Sequence, residues 1–277
     1  MPGVPSSIVE PIWDQFAALI PPRPDNHPFG AHRPRVDDRM VFGKLVQVLV
    51  FGIAYAKASD QTCSAATIRR RRDEWIWAGL FADLGQLCLD GFDRMIGLDL
   101  SRLVVGGCVV KAPRGGEAAG KSPADRGKQG TRRSPLTDGT GLPPGVVVAP
   151  ANRPGSPLLY PTLETLGRFG FNLPERITVQ LDAGHDSGKT RDLLAMPGRE
   201  GRISAKGTPP QADARWVVER ANSWHNPGFK QLLACTEVRT RVIEAHIALA
   251  NAIILIHQPI HRAWTTWRWD TRPNRKP

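Results

Sequence analysis

The chain has 277 residues, of which 41% are apolar and 23% charged, and its formal net charge is +11. This composition excludes a disordered polyelectrolyte and a collagen-like repeat, and the length suffices for one large domain or two small ones. The four cysteines are widely spaced and include no C-x-x-C pair. That spacing argues against a disulfide-stapled scaffold and against a cysteine zinc site, and it favours a reducing compartment.

The apolar runs are too short to predict a membrane span. Residues 40–56 are interrupted by glycines and polar residues, and residues 245–256 span twelve positions, whereas a bilayer needs ~20 apolar residues. No basic stretch leads into an apolar segment at the N-terminus, so no secretory signal is visible. We expect a soluble cytoplasmic protein with no membrane partner.

The positive charge lies in the second part of the chain. Residues 1–100 hold 11 Lys+Arg and 12 Asp+Glu, whereas residues 101–277 hold 26 and 14. Residues 111–133 carry seven basic and two acidic side chains in a Gly-rich stretch, and residues 262–277 carry five and one. Clustered cations gain affinity for polyanions by releasing condensed counterions, so this distribution indicates a nucleic-acid partner.

The first 100 residues predict a small all-α domain. A helix over residues 40–56 and a second helix capped by Ser64 are joined through a short polar segment. Such a pair is typical of a helix-turn-helix that places the basic side chains of its second helix against DNA. An ordinary helical bundle with one basic face stays the alternative. The predicted DNA-binding side chains of this helix are Arg69, Arg70, Arg71 and Arg72.

From residue 101 the pattern changes to short β-branched runs separated by turns. A strand over residues 103–110, interrupted by glycines, is followed by a hairpin signal at residues 138–141 and a returning strand over 145–149. A short helix over 161–169 then leads to a strand over 177–182. Three strands in hairpin succession and a crossover to a fourth predict a mixed α/β, ribonuclease-H-like fold.

Two acids are candidates for chemistry. Asp182 ends the predicted strand, where α/β folds place ligands, and Glu219 lies in a predicted helix over residues 214–224. Carboxylates from a strand end and a later helix can share Mg²⁺, which prefers oxygen ligands and activates water against a phosphodiester. Taken singly, Asp182 could instead cap the following helix, and Glu219 could form a surface pair with Arg215.

Three stretches resemble bacterial insertion-sequence transposases of the DDE type, the insertion-sequence-five group: residues 111–130, 181–190 and 215–224. The resemblance implies a helical DNA-binding domain over 1–100 and a ribonuclease-H-like core over 101–260, and we treat 261–277 as a basic Trp-rich tail. It also implies binding of terminal inverted repeats in double-stranded DNA, with cleavage and strand transfer at a two-metal site holding Mg²⁺ or Mn²⁺.

By this resemblance Asp182 is the second catalytic acid and metal ligand, Glu219 the third, and Arg215 the arginine four residues before it. Because transposition holds two DNA ends together, a homodimer is implied when the enzyme is active. Beyond the arginine run, the basic residues expected at DNA are Lys111, Arg114, Lys121, Arg126, Lys128 and Lys189.

The first acid is missing from the pattern. Gly106 stands where the family has aspartate, and glycine has no side chain with which to ligate a metal. His185 replaces an expected tyrosine, and Pro154-Gly155 replace an expected His-Asp pair. These departures predict an impaired copy in which Gly106→Asp recovers some cleavage. The alternative is a catalytically inactive DNA-binding protein derived from a transposase.

Other motifs carry weaker alternatives. Residues 183–190 match a loose nucleotide-binding loop, but Asp182 and Asp186 would bring negative charge to its phosphate cradle. His257 and His261 lack the glutamate of a zinc-protease helix. The tryptophans Trp264, Trp267 and Trp269 could stack on bases or pack on the core.

Overall fold

The computed structural model describes residues 5–22, 35–167, 173–195, 198–205 and 216–266, with side chains to residue 261. Arg215, the tail beyond residue 266 and the side chain of Trp264 therefore lie outside the described residues.

Helices form the first part of the chain, as the sequence predicts. Asp37 accepts hydrogen bonds from the backbone N–H groups of Arg39 and Met40, and Ser64 accepts one from Thr67, so the predicted Ser64 cap is confirmed. The bounds are α1 Ser6–Leu19, α2 Asp38–Phe51, α3 Tyr55–Ala58, α4 Ala65–Trp77 and α5 Leu80–Met95.

One apolar core joins these helices to the C-terminal part of the chain. The ring of Phe16 packs against Phe42 and Trp75, with centroids 4.9 and 5.0 Å away. Full burial of each such ring contributes about 2–3 kcal/mol. The same core contains most of the buried face of the last helix. The division at residue 100 therefore stays a prediction, because apolar residues from both sides of it share one core.

Three helices complete this side of the molecule: α8 Trp216–Gly228, α9 Lys230–Leu233 and α10 Thr240–Thr266. A stretch of α10, Thr240–His261, is long and apolar enough to cross a membrane, but 56% of its apolar window is buried inside the protein. That degree of burial is typical of a core helix.

The remaining chain builds one mixed sheet with seven strands among the described residues. β1 and β2 pair in one continuous antiparallel register with β4, so they are the two halves of the strand that the sequence predicted with a glycine interruption. The strands are β1 Arg102–Val105, β2 Cys108–Lys111, β3 Gly120–Lys121, β4 Gln129–Thr137, β5 Gly145–Pro150, β6 Ile177–Leu181 and β7 Arg199–Ile203.

The sheet order across the molecule is β5, β4, β1, β6, β7. β5 and β1 run antiparallel to β4, whereas β6 is parallel to β1 and β7 is parallel to β6. The predicted hairpin and crossover are therefore confirmed, and the fold is mixed α/β. The short helices α6 Leu159–Glu164 and α7 Gly188–Leu194 cover one face of this sheet, and α8 covers the other.

Candidate functional site

The candidate site lies where the parallel strands β1 and β6 end. Val105 is paired with Leu181, so Gly106 and Asp182 are the next residues along two neighbouring strands. Carboxyl ends of parallel strands are where α/β proteins place ligands, and Asp182 directly follows its strand as predicted. Gly106, where the resemblance implies an acid, therefore lies beside Asp182.

Asp182 is anchored by the turn that follows it. Its Oδ1 accepts a hydrogen bond of 2.9 Å from the Gly184 N–H and lies 2.9 Å from Nδ1 of His185. The carboxylate therefore caps the short 3-10 turn over Ala183–His185 and orients the imidazole ring. Capping was one of the two alternatives for Asp182, and the side chain is still 35% exposed.

Glu219 is carried by α8, which packs across β1. Val217 and Val218 of this helix form a small apolar cluster with Val104, whereas Glu219 is exposed. A Cβ added to Gly106 would lie 2.8 Å from Cγ1 of Val218, so the helix fits closely against the glycine. Glu219 is the residue after Val218, which covers Gly106. Because residues seven positions apart lie on the same side of a helix, Glu219 shares a flank of α8 with Asn226.

Asn226 shows where that flank of α8 lies. Its side chain contacts Arg133 of β4 and the Sγ of Cys108, so the last turn of α8 lies against the strands near the interruption. Arg220, on another flank of α8, donates a hydrogen bond to the carbonyl of Thr140. Its guanidinium lies over the rings of Trp216 and Trp224, 4.8 and 5.2 Å from their centroids. These contacts fix how α8 lies over the sheet.

The ligand set for a metal is incomplete. Among the described residues, no group of three or more His, Cys, Asp or Glu side chains is placed to hold a metal ion. Asp182 has its anchoring contacts, Gly106 offers no ligand, and Arg215 falls outside the described residues. The residues present therefore do not fit the two-metal centre that the resemblance implies.

A third acid near the sheet has a structural role. Asp138 is buried in the turn between β4 and β5, where its carboxylate accepts hydrogen bonds from the backbone N–H groups of Asp99, Thr140 and Leu142. Burial raises the pKa of this carboxyl, and the backbone N–H groups partly offset that rise. Asp138 lies next to the beginning of β1, at the opposite end of the strand from Gly106, so it does not substitute for the missing acid.

Two of the four arginines predicted to face DNA are buried, and that expectation is wrong for them. Arg71 is 1% exposed and pairs with Asp38 and Glu74. Arg72 is 2% exposed and contacts the Tyr55 hydroxyl among other partners. Successive helical residues are about 100° apart, so four in a row cannot share one face.

The neighbours of those two arginines are exposed. Arg69 lies over the ring of Tyr55, 5.1 Å from its centroid, and Arg70 is 4.0 Å from Glu74. They stay candidates for a nucleic-acid surface.

The basic loop between β2 and β4 keeps its charges exposed. None of its five cations forms an ion pair with any of the residues that the structure describes, and the same is true of Lys189 near the start of α7. The loop follows β2, which continues the line of β1 past Gly106, so it lies toward the same end of the sheet as Asp182. Its cations are Lys111, Arg114, Lys121, Arg126 and Lys128.

Sequence reasoning missed Arg132, and it named His185 only as a departure from the family pattern. Arg132 of β4 lies next to Gly107 and Gly155, and His185 has one ring nitrogen against Asp182 and the other against Gly155. The departures at 155 and 185 were visible in the sequence. The approach of Arg132 to Gly155 depends on the register of β4, which the sequence does not encode locally.

Comparison with known proteins adds two findings. Residues 9–84 match a family model described as "Putative transposase of IS4/5 family". A curated protein of Burkholderia cepacia, "Putative transposase for insertion sequence element IS402", is 29% identical over 142 residues, which is 49% of this chain and 67% of the relative. The chain is related to the insertion-sequence transposases of the IS4/5 type.

The family match covers the helical part of the chain, from α1 into α5. Asp182 and Glu219 lie outside residues 9–84. The family match therefore says nothing about the roles of these two acids.

Proposed function

We propose that this IS4/5-type protein binds the ends of an insertion sequence in double-stranded DNA but is impaired in metal-dependent strand cleavage. The observation that carries the proposal is the packing at Gly106. This glycine is buried beside Asp182, and Val218 occupies the space that a first acid would need.

The sheet supports a ribonuclease-H-like core. The resemblance implies three antiparallel strands in succession and then two parallel strands on the other side of the first. β1, β4 and β5 correspond to the first three, and β6 and β7 to the last two. In this arrangement Gly106, Asp182 and α8 come together at one end of the sheet, which is where the three acids of such a core would have to meet.

DNA binding is supported by the unpaired cations of the loop. An exposed lysine or arginine without an acidic partner keeps its full charge for a phosphate, whereas a paired one does not. The loop, together with Arg69 and Lys189, supplies such cations on this protein. Arg70 is exposed as well, but it is 4.0 Å from Glu74 and keeps less of its charge for a phosphate. When two DNA ends are bound, we expect two copies of the chain to hold them.

The chemistry of cleavage would require a divalent ion held by Asp182, Glu219 and a third carboxylate. The described residues do not supply that third ligand. We therefore assign to this chain the binding of DNA and no step of strand cleavage.

Fluorescence anisotropy with the element's terminal inverted repeat tests the binding. We expect salt-sensitive binding, and the variant Lys121→Gln/Lys128→Gln should reduce the slope of log K against log salt by about 1.8, or about 0.9 per lost phosphate contact. The matched control Lys57→Gln/Arg94→Gln removes the same charge from exposed positions in the helical part and should leave the slope unchanged.

Cleavage is tested with the same duplex and Mg²⁺ or Mn²⁺. We expect little or no product from the wild-type protein. Robust wild-type cleavage that Asp182→Ala abolishes would contradict the impairment, and equal slopes for the loop variant and its control would contradict the proposed DNA surface.

A further inference from the structure

Arg132 is a cation near the candidate site that the proposed function has not used. It lies on β4 opposite Val109 and Ala149, on the strand face that also carries Ser134. Ser134 receives a hydrogen bond of 2.8 Å from Thr162 of α6, so this face is the one covered by α6. Arg133, its neighbour in the strand, faces α8 instead.

The guanidinium of Arg132 has no acidic partner among the residues that the structure describes. Its Nε is buried without a hydrogen bond, although the side chain as a whole is only half-buried. Arg71 and Arg72, the buried arginines of the helical part, each pair with acids. A cation partly removed from water without a counter-charge carries a desolvation cost, and an anion bound from outside the chain would offset that cost at Arg132.

Two glycines, Gly107 and Gly155, lie close to this guanidinium. A Cβ added to Gly107 would lie 3.1 Å from Nη1 of Arg132, and one added to Gly155 would lie 3.9 Å from the same atom. Gly107 is exposed, so this end of the guanidinium reaches toward solvent. An incoming ligand therefore meets backbone rather than side chains at these two positions.

His185 connects this cation to Asp182. The ring is 3% exposed, its Nδ1 contacts Asp182, and its Nε2 is buried with no hydrogen-bond partner among the described residues. The same added Cβ at Gly155 would lie 3.2 Å from that Nε2. The order outward from the end of β6 is thus Asp182, His185, Gly155 and Arg132.

We propose that Arg132 binds a phosphate group of the DNA backbone beside Asp182. The identity of the ligand as DNA rests on the proposed function, whereas the preference for a phosphate rests on Arg132 itself. A guanidinium presents two parallel N–H donors that match two phosphate oxygens. Bound there, the phosphate would hold the strand in register with the end of β6.

Two readouts test the proposal. The first is the rise in melting temperature caused by inorganic phosphate relative to chloride at equal ionic strength. The second is the salt slope of duplex binding by anisotropy. Arg132→Gln should abolish the phosphate-dependent rise and reduce the slope by about 0.9, while Arg132→Lys should keep the slope and lose part of the affinity. Arg153→Gln, an exposed arginine two positions from Gly155, is the matched control.

A second variant keeps the test valid if Arg132→Gln folds poorly. Gly155 has φ −70°, which any residue can adopt, so Gly155→Asp can place a carboxylate beside the intact guanidinium. Its Cβ would press on Nε2 of His185 at 3.2 Å, a contact that Gly155→Asn shares, so the two variants differ only in charge. It should displace phosphate and lower duplex affinity about tenfold, whereas the isosteric Gly155→Asn should do neither.

The outcomes separate the two proposals. Unchanged phosphate response and unchanged slope in Arg132→Gln and Gly155→Asp would overturn the assignment of Arg132 while leaving DNA binding in place. Absence of duplex binding by the wild-type protein would overturn the proposed function, and the phosphate readout would still decide whether Arg132 binds this group.

Discussion

The close packing of Val218 on Gly106 predicts that a single methyl group added at position 106 destabilises the protein. A Cβ at position 106 would lie 2.8 Å from Cγ1 and 3.0 Å from Cγ2 of Val218. Because Val218 is β-branched and helical, it has one strongly preferred rotamer and cannot turn away without cost. Overpacking of this kind costs about 1–3 kcal/mol. We therefore expect Gly106→Ala to lower the free energy of unfolding.

The effect of Gly106→Ala on the free energy of unfolding should change sign when Val218 is replaced by alanine. Val218→Ala alone should cost about 2 kcal/mol, since it deletes two buried methyl groups worth about 0.8 kcal/mol each and leaves a small cavity. In that background Gly106→Ala meets no clash. It should then stabilise the protein by about 0.5 kcal/mol, because alanine loses less backbone entropy on folding than glycine.

Urea unfolding of the four proteins gives the coupling free energy, for which we expect about 1.5–3.5 kcal/mol, the difference between the two effects of Gly106→Ala. Val217→Ala is the matched control, because Val217 is buried on the same helix but no atom of it is among the nearest neighbours of the added Cβ. Additivity of Gly106→Ala with Val218→Ala, to within about 0.5 kcal/mol, would refute the account of this contact.

Two further predictions concern buried charge. Arg71→Gln should lower the free energy of unfolding in urea by about 3–5 kcal/mol, because it breaks a buried ion pair. Arg70→Gln changes an exposed arginine and should cost under about 1 kcal/mol. Equal losses for the two variants would be inconsistent with these positions. Burial lowers the pKa of His225 and of His246 to about 4, below the unfolded value of about 6.5. Stability should therefore fall as pH drops from about 6.5 to 4, by up to about 1.4 kcal/mol per pH unit and histidine, and a flat pH profile would contradict this.

Much of the fold was predictable because local patterns and global topology agree. The turn at residues 138–141, the apolar strand before Asp182 and the Ser64 cap each carry a local signal that the structure follows. β7 was not predicted, because its sequence is mostly charged and lacks the alternation of a half-buried strand. Charged residues on an edge strand are common because they discourage pairing with other chains.

The candidate site was less predictable, because its contacts join distant segments. The missing acid at position 106 is readable from the sequence, but the valine that covers it comes from a helix 112 positions later. The arginine run misled for a different reason. Its charge suggested a surface, although Asp38 and Glu74 are the acids that make burial of Arg71 possible.

The proposed site requires that Asp182 and Glu219 lie close enough to share one ion when a third acid is supplied. Mn²⁺ titration of Gly106→Asp/Val218→Ala measures this directly. We expect Mn²⁺ binding that exceeds that of the wild-type protein and that falls at least tenfold on adding either Asp182→Asn or Glu219→Gln. Mn²⁺ affinity that Glu219→Gln leaves unchanged would show that the two carboxylates do not act on one ion.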